Sequence, residues 1–377
     1  MRGAHSGRTQ REERHHHDCS PLAQRPSKAL LIGLVVSGVL ALAVLAIMLF
    51  SGGPVGFGLS ALLAVAPLPV LLAAVLSLDR LEPEPKLHLA FAFAWGAGVA
   101  IVAGIALTLV GQEFFVRAGY TSTAVENIGA VVLAPIVEEA LKGSALLLLL
   151  RRRAEIDGLT DGIVYASMAG LGFAAVENVG YYLLAFGEDG AGAAVQLFVL
   201  RGLIDPLGHP IYTSMIGLGV AYALTRRNPA RYAAIPFGYV GAVFLHGLWN
   251  GAATTGSLEW VGVAYLVIMA ALVLLIVVTV VERRHLIARM AFYLPAYGQT
   301  GLVSDADVRM LTTLSARKAA RKWARGAGLG QAMSDYQQAA TELTMLHLRA
   351  ERQGVEPRRF AMERDALLGA MARARRW

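Results

Sequence analysis

Six ionisable residues stand inside apolar stretches of the chain, where a charge is costly and its presence suggests chemistry. They are Glu138, Glu139, Lys142, Glu177, Arg201 and Asp205. An ionisable residue within a membrane span costs about 2.5–3.5 kcal/mol on insertion scales. Six unpaired ones would cost on the order of 15–20 kcal/mol, more than the net stability of a typical domain. We therefore expect these side chains to face one another or water.

Helical spacing indicates which of these side chains can share a helix face. In PIVEEALKG, Glu138 and Lys142 are four residues apart and can pair, whereas Glu139 is turned about 100° away. The GFAAVEN segment adds a second face, formed by Phe173, Glu177 and Asn178. A buried structural ion pair is the alternative interpretation of Glu138 with Lys142.

Two later segments contain the only histidines that lie deep in apolar sequence. RGLIDPLGHP sets Arg201, Asp205 and His209 at i, i+4 and i+8, beside two prolines that we expect to kink the helix. FLHGLWN sets His246 and Asn250 one turn apart. Counted at 1.5 Å per residue, the glutamates and His246 lie roughly 12–14 Å below the outer surface and His209 roughly 22 Å. These faces can therefore form one pocket, although Arg201 with Asp205 also suits a structural ion pair.

Such a pocket is suited to hydrolysis. Two carboxylates in a low-dielectric site do not readily ionise together, so one of them can act as an acid or a base. Neutral imidazoles and an asparagine amide can donate hydrogen bonds to an oxyanion. The same histidines with a glutamate could instead hold zinc around an activated water. Both alternatives predict water-dependent bond cleavage within a membrane.

The elements that must position these residues are membrane helices. The chain has 377 residues, of which 56% are hydrophobic and 16% charged, and soluble proteins carry about 25% charged residues. Stretches of about 20 apolar residues can cross the bilayer, and eight are predicted. They are residues 29–50, 57–78, 89–110, 129–150, 161–186, 194–225, 232–254 and 261–281. The expected fold is an all-α, polytopic membrane protein.

Charge divides the chain into three regions: a basic N-terminal tail (1–28), an eight-helix transmembrane domain (29–282) and a basic C-terminal region (283–377). The excess of basic residues lies in the tails, so it indicates topology and not nucleic-acid binding. The positive-inside rule places both termini in the cytoplasm of a multi-pass plasma-membrane protein. The single cysteine, Cys19, excludes a disulfide framework.

The C-terminal region is predicted to be partly helical. Ser304 and Asp307 form a capping-box pattern, and apolar residues then recur at helical spacing. These apolar residues are Met333, Tyr336, Ala340, Leu343 and Leu346. We interpret the region as a solvated or membrane-surface appendage.

These motifs resemble the PrsW family of intramembrane proteases, which is similar to the wider group of CAAX prenyl proteases and bacterial CPBP membrane proteases. The matching segments are DRLEPEP (79–85), EEALK (138–142), FAAVEN (173–178), His209 and HGLWN (246–250). The resemblance covers about residues 75–255. The wider group usually has a histidine where Glu177 stands, so the chain is more similar to the PrsW branch.

The resemblance implies roles for individual residues. Glu138 or Glu139 would activate the attacking water, with Glu138 the first choice. His209 would position the water or stabilise the intermediate, while His246 and Asn250 would form the oxyanion pocket. The supporting residues would be Lys142, Phe173, Glu177, Asn178 and Asp205. Candidate zinc ligands would be Glu138, Glu177, His209 and His246, and a metal-free glutamate mechanism is equally compatible with the sequence.

The sequence therefore predicts an intramembrane endopeptidase that cuts a membrane protein in or near its span. By resemblance, the substrate could be an anti-sigma factor. Its partners would be that substrate and membrane lipids, without nucleic acid, and its oligomeric state is not predicted. A proton-coupled transporter that uses the same carboxylates is the main alternative. A further alternative is a catalytically silent scaffold protein that recruits partners through the basic tail.

Overall fold

The computed structural model describes residues 27–149 and 156–375 of the chain. All regular structure within these ranges is helical, and no strand occurs in them, which confirms the predicted all-α fold. The described residues form two compact units, which we call the N-terminal unit (27–282) and the C-terminal unit (283–375).

The N-terminal unit contains the apolar helices. In chain order these are α1 (Lys28–Val65), α2 (Leu68–Leu76), α3 (Lys86–Trp95), α4 (Ile101–Arg117), α5 (Ser122–Ile128), α6 (Ala134–Leu149), α7 (Leu159–Phe198), α8 (Gly208–Thr225), α9 (Arg231–Thr254) and α10 (Leu258–Tyr293). Short π-helices occur at Gly96–Ala100, Gly129–Leu133 and Val199–Ile204. The last helix, α10, continues past the division between the two units.

Five helical segments are long and apolar enough to cross a membrane. They are Lys28–Leu76, Lys86–Arg117, Leu159–Thr225, Arg231–Thr254 and Leu258–Thr300. These segments contain seven of the eight predicted spans. At 49 and 67 residues, the first and third are long enough for two crossings each, since about 20 residues suffice for one. The eighth predicted span, 129–150, corresponds to a π-helix followed by the 16-residue α6, which bears the glutamate pair.

Non-helical residues interrupt the longest segments. Gly53 (φ 70°, ψ 167°) breaks α1 and Gly190 (φ 79°, ψ −167°) breaks α7. Both adopt positive φ, where a side chain would be strained. A third break lies at Asp205 (φ −118°, ψ 55°), between the π-helix and α8. The kink expected beside the two prolines is present as a full break, since the helix ends before Asp205 and restarts at Gly208. The i, i+4 and i+8 spacing of Arg201, Asp205 and His209 therefore does not place them on one helix face.

The helices that bear the site approach each other through glycine. A Cβ atom added at Gly170 in α7 would lie 2.7 Å from the carbonyl oxygen of His209. Ser167 Oγ and Ser214 Oγ are 2.8 Å apart across the same pair of helices. Since glycine carries no side chain, α7 and α8 pack at a distance that brings their polar residues into direct contact.

The C-terminal unit has its own small core. A 3-10 helix (Leu294–Thr300) leads into α11 (Asp305–Leu311), α12 (Leu314–Gly326), α13 (Gly330–Gln353) and α14 (Pro357–Ala374). The predicted capping box at Ser304 and Asp307 is present at the start of α11. The predicted apolar stripe is buried, with Met333, Tyr336, Ala340, Leu343 and Leu346 each at most 5% exposed.

Candidate active site

Glu139 is fully bonded inside the helix bundle. It is 0% exposed. Its Oε1 accepts hydrogen bonds from Lys142 Nζ at 2.9 Å and from His246 Nδ1 at 3.0 Å. Its Oε2 accepts from Thr213 Oγ1 at 2.8 Å. Both oxygens are therefore held by protein groups, and Glu139 orients the ring of His246 from α9.

Glu138 differs from its neighbour in having an open oxygen. Its Oε2 accepts from Lys142 Nζ at 3.2 Å and lies 3.9 Å from His246 Nε2. Its Oε1 forms no hydrogen bond within the described ranges, and its side chain is 12% exposed. The gap of 3.9 Å is too long for a direct hydrogen bond but is suitable for a bridging water.

Lys142 links the glutamate pair to α8. Its ammonium is also 2.9 Å from His209 Nδ1 and 3.8 Å from the centroid of the Phe173 ring. An ammonium group only donates hydrogen bonds, so His209 Nδ1 is the acceptor. Lys142 is 0% exposed, and one buried cation therefore contacts both glutamates, a histidine and an aromatic ring.

His209 connects this cluster to Glu177. Its Nε2 lies 2.9 Å from Glu177 Oε2, and with Nδ1 accepting from the ammonium, Nε2–H is the donor. Arg201 donates to the same Glu177 oxygen at 2.5 Å and to Asn178 Oδ1 at 2.8 Å. Arg201 therefore pairs with Glu177 and not, as predicted, with Asp205.

The remaining predicted residues line the far side. Tyr212 donates to Asp205 Oδ2 at 3.1 Å and stacks on His246, with ring centroids 5.2 Å apart. Asn250 donates to the carbonyl oxygen of Ala130 at 2.8 Å, at the π-helix before α6. One amide hydrogen of Asn250 is thus committed to the backbone, which leaves the other for a ligand.

A small, partly open cavity lies against this cluster. Its walls include Glu177, Asn178, Asp205, His209, His246 and Asn250. Glu138 is not part of this wall, but its side chain is 12% exposed and its Oε2 lies 3.9 Å from Nε2 of His246, which is part of it. The cavity thus exposes the histidines and the asparagine to a ligand, and Glu139 holds His246 from the interior.

The donor types of this site suit a metal ion, but their arrangement does not. Glu138, His209 and His246 offer ligand atoms that all lie within 4.8 Å of one another. The Lys142 ammonium, however, is hydrogen-bonded to Glu138 and His209. The other nitrogen of His209 is committed to Glu177. A metal bound by these three residues would have to displace an existing cation, so the residues as arranged do not fit one.

A second carboxylate group occupies the DRLEPEP loop and the start of α7. Oxygens of Asp79, Glu84 and Asp161 lie within 4.8 Å of one another. Tyr165 donates to Glu84 at 2.5 Å, and Asp161 accepts from the backbone N–H of Gly158 at 2.7 Å. Burial raises the pKa of Asp79 to about 7, and burial together with nearby Asp161 raises the pKa of Glu84 well above its usual value. This loop therefore holds the α7 N-terminus through acidic side chains.

Two contributors to the site were not predicted. Thr213 and Tyr212 follow His209 by four and three residues, so they share its helix face. Their hydroxyl groups on the face of His209 were the one sign in the sequence that they belong to the site. Their partners could not be predicted, because Glu139 is distant in sequence from Thr213 and a helix break separates Asp205 from Tyr212. The predicted residues Glu138, Glu139, Lys142, Phe173, Glu177, Asn178, His209 and His246 all fall within one contact network.

These features define a class of protein: a polytopic helical membrane protein whose buried carboxylates and histidines border a cavity. The profile described as "PrsW family intramembrane metalloprotease" matches residues 84–278. Because this match covers more than half of the chain, the chain belongs to the PrsW family. The resemblance inferred from the motifs is thereby confirmed, and the protein is a membrane-embedded peptidase.

Curated relatives agree with this assignment. The chain is 26% identical over 190 residues to Protease PrsW of Clostridioides difficile, covering 50% of this chain and 76% of the relative. It is 29% identical over 191 residues to Protease PrsW of Geobacillus kaustophilus, covering 49% and 76%. It is 27% identical over 186 residues to that of Oceanobacillus iheyensis, covering 49% and 79%. No solved structure matches the chain.

Proposed function

We propose that this peptidase cleaves a membrane protein with a water molecule activated by Glu138. The observation that carries the proposal is the contrast within the glutamate pair. Glu139 has both oxygens bonded to protein groups. In Glu138, Oε1 is open, and Oε2, which also accepts from Lys142, lies 3.9 Å from His246 Nε2. A water between them would donate one hydrogen bond to each group.

A carboxylate orients the ring of His246 toward the proposed water. Its Nδ1–H donates to Glu139, so the lone pair of Nε2 faces the water. Glu138 takes one proton from the attacking water and, once protonated, delivers it to the leaving amine, while Nε2 of His246 accepts a hydrogen bond from the second O–H group of that water. The second amide hydrogen of Asn250, on the cavity wall, is the donor that we assign to the oxyanion.

His209 has a positioning role in this proposal. Both of its ring nitrogens are engaged, one by the Lys142 ammonium and one by Glu177. Phe173 supports this ring at a centroid distance of 5.3 Å. His209 thus links the two charged groups of the site and forms part of the cavity wall. Arg201 holds Glu177 on its other side, and Asn178 in turn accepts a hydrogen bond from Arg201.

The proposed reaction proceeds without a resident metal. Lys142 supplies the positive charge that keeps the glutamate pair in place, and it occupies hydrogen-bonding positions of two of the three candidate ligands. Catalysis then relies on Glu138 for proton transfer and on His246 to orient the water. Cleavage in a preparation shown by elemental analysis to lack zinc would support this; dependence on added zinc would contradict it.

We further propose that the substrate is a single-span regulatory membrane protein such as an anti-sigma factor, as family resemblance implies. Both termini of the protease are proposed to be cytoplasmic, because the basic residues outside the spans favour that side. Reconstituted protein incubated with a tagged anti-sigma factor tests the activity directly. Specific cleavage lost in Glu138→Gln supports the proposal, whereas pH-driven solute flux without peptide cleavage would favour a transporter.

A further inference from the structure

The helix α12 lies outside the residues matched by the family profile and carries an unusual concentration of positive charge. Its sequence, LSARKAARKWARG, contains five basic residues and no acidic one. The basic residues are Arg317, Lys318, Arg321, Lys322 and Arg325. They divide between the two faces of the helix, and the two faces differ in their partners.

The inner face attaches α12 to α13. Arg317 is 2% exposed and donates to Thr341 Oγ1 at 3.2 Å and to the carbonyl oxygen of Gln337 at 3.4 Å. Arg321 donates to Gln337 Oε1 at 3.1 Å. These contacts fix the rotation of α12, so the opposite face points away from the core of the C-terminal unit.

The outer face carries exposed cations and an exposed tryptophan. Lys318, Lys322 and Arg325 stand at i, i+4 and i+7 on one stripe and are exposed. None of them forms a salt bridge with any residue in the described ranges. Trp323, beside Lys322, is 63% exposed. A basic stripe bordered by an aromatic ring is the pattern of helices that lie on membrane surfaces.

The chain itself holds this face near a membrane. The last candidate span ends at Thr300, and α12 begins at Leu314. A connection of this length extends to at most roughly 50 Å even when fully stretched. The chain therefore tethers the basic face to the end of a membrane-spanning segment, within reach of a bilayer surface.

We propose that the outer face of α12, formed by Lys318, Lys322, Trp323 and Arg325, docks on anionic phospholipid headgroups. The cations bind phosphate groups of the lipid surface, and Trp323 enters the interfacial layer. Three cations near an anionic surface favour docking by about 100-fold over a neutral surface. This inference concerns lipid binding and is independent of the proposed proteolytic mechanism.

The test uses the full chain in nanodiscs of phosphatidylcholine, alone or with added phosphatidylglycerol. Cys19 is changed to Ser, and Ala319→Cys on the exposed side of α12 carries an environment-sensitive fluorophore. We expect a blue shift of its emission only in the anionic discs, reversed by high salt. A label at Ala306→Cys, in α11, serves as the position control.

Two charge variants decide the outcome. The variant K318Q/K322Q/R325Q should lose the shift, whereas R309Q/R358Q/R359Q, which removes the same charge elsewhere in the C-terminal unit, should retain it. Equal emission in the two kinds of disc would overturn the proposal, as would equal loss in both variants. A shift seen only when RNA is added to neutral discs would overturn it in favour of nucleic-acid binding.

Discussion

The buried polar cluster of the N-terminal unit and the outer face of the basic helix α12 differ in whether their charged side chains have ion-pair partners. In the cluster, Lys142 and Arg201 each contact carboxylates, and the glutamates in turn hold the histidines. On the outer face of α12, three cations are exposed without a described salt bridge. Charges removed from water require partners, whereas charges on a wet surface do not.

This difference agrees with the two proposed roles, catalysis for the buried cluster and membrane-surface binding for α12. A compensated cluster is held in one geometry, which is what catalysis requires. An uncompensated stripe retains its field for an external partner, which is what surface binding requires. Substitutions that remove one member of the buried cluster should therefore have larger effects than surface substitutions of equal charge.

The largest effect is expected for Glu138→Gln. Loss of the proposed base should lower the cleavage rate by about 10²–10⁴-fold while leaving the fold intact, since the amide can still accept from Lys142. Initial rates on a tagged membrane substrate in proteoliposomes provide the measurement. Glu113→Gln is the control, because Glu113 is exposed and pairs with Arg117, at the surface and away from the cluster. Comparable rates in the two variants would reject Glu138 as the base.

Lys142→Met tests whether the buried cluster depends on its shared cation. The change leaves two buried carboxylates without their shared cation, and we expect a loss of about 3–5 kcal/mol in the free energy of unfolding. Elemental analysis should also show more bound divalent metal, because the position blocked by the ammonium becomes available. Lys142→Arg keeps the charge and is the matched control. Unchanged metal content in Lys142→Met would argue against the blocking role.

Gly170→Ala should reveal how far the cluster depends on close helix packing. The added methyl group meets the His209 carbonyl, and such overpacking costs about 1–3 kcal/mol. Thermal unfolding in detergent and cleavage rates should both decrease. Gly187→Ala, in the same helix with no atom within 4 Å of the new Cβ, should leave both unchanged. Equal melting temperatures for the two variants would contradict the packing argument.

The last effect, expected for Asp79→Asn at the loop that precedes α3, appears only as a dependence of stability on pH. The pKa of Asp79 is about 7 in the folded chain and 3.8 as its ordinary value. The folded state therefore binds the proton more tightly, and stability falls as pH rises from about 4 to 7. The neutral variant should melt higher than the wild type at pH 8 and nearly equally at pH 4.5. The exposed Asp189→Asn should show no such pH-dependent difference.

Much of the protein could be predicted from sequence because a membrane makes polar residues informative. The cost of burying Glu138, Lys142 and Glu177 required partners. Helical spacing named the pair of Glu138 with Lys142, but it turned Glu139 away from Lys142, which in the structure bonds to both glutamates. The motif order also indicated the PrsW family correctly. The suggested pairing of Arg201 with Asp205 was wrong, because the expected kink is a full break at Asp205 and Arg201 pairs instead with Glu177.

The sequence by itself determined the all-α membrane class, the identity of the polar residues and the family, since hydropathy and residue type suffice for these. Only the tertiary structure decided which carboxylate is open and which is fully bonded. It also decided that Lys142 contacts His209 and that Arg201 forms an ion pair with Glu177. Those choices depend on how α6, α7, α8 and α9 pack across long sequence separations, which no local spacing encodes.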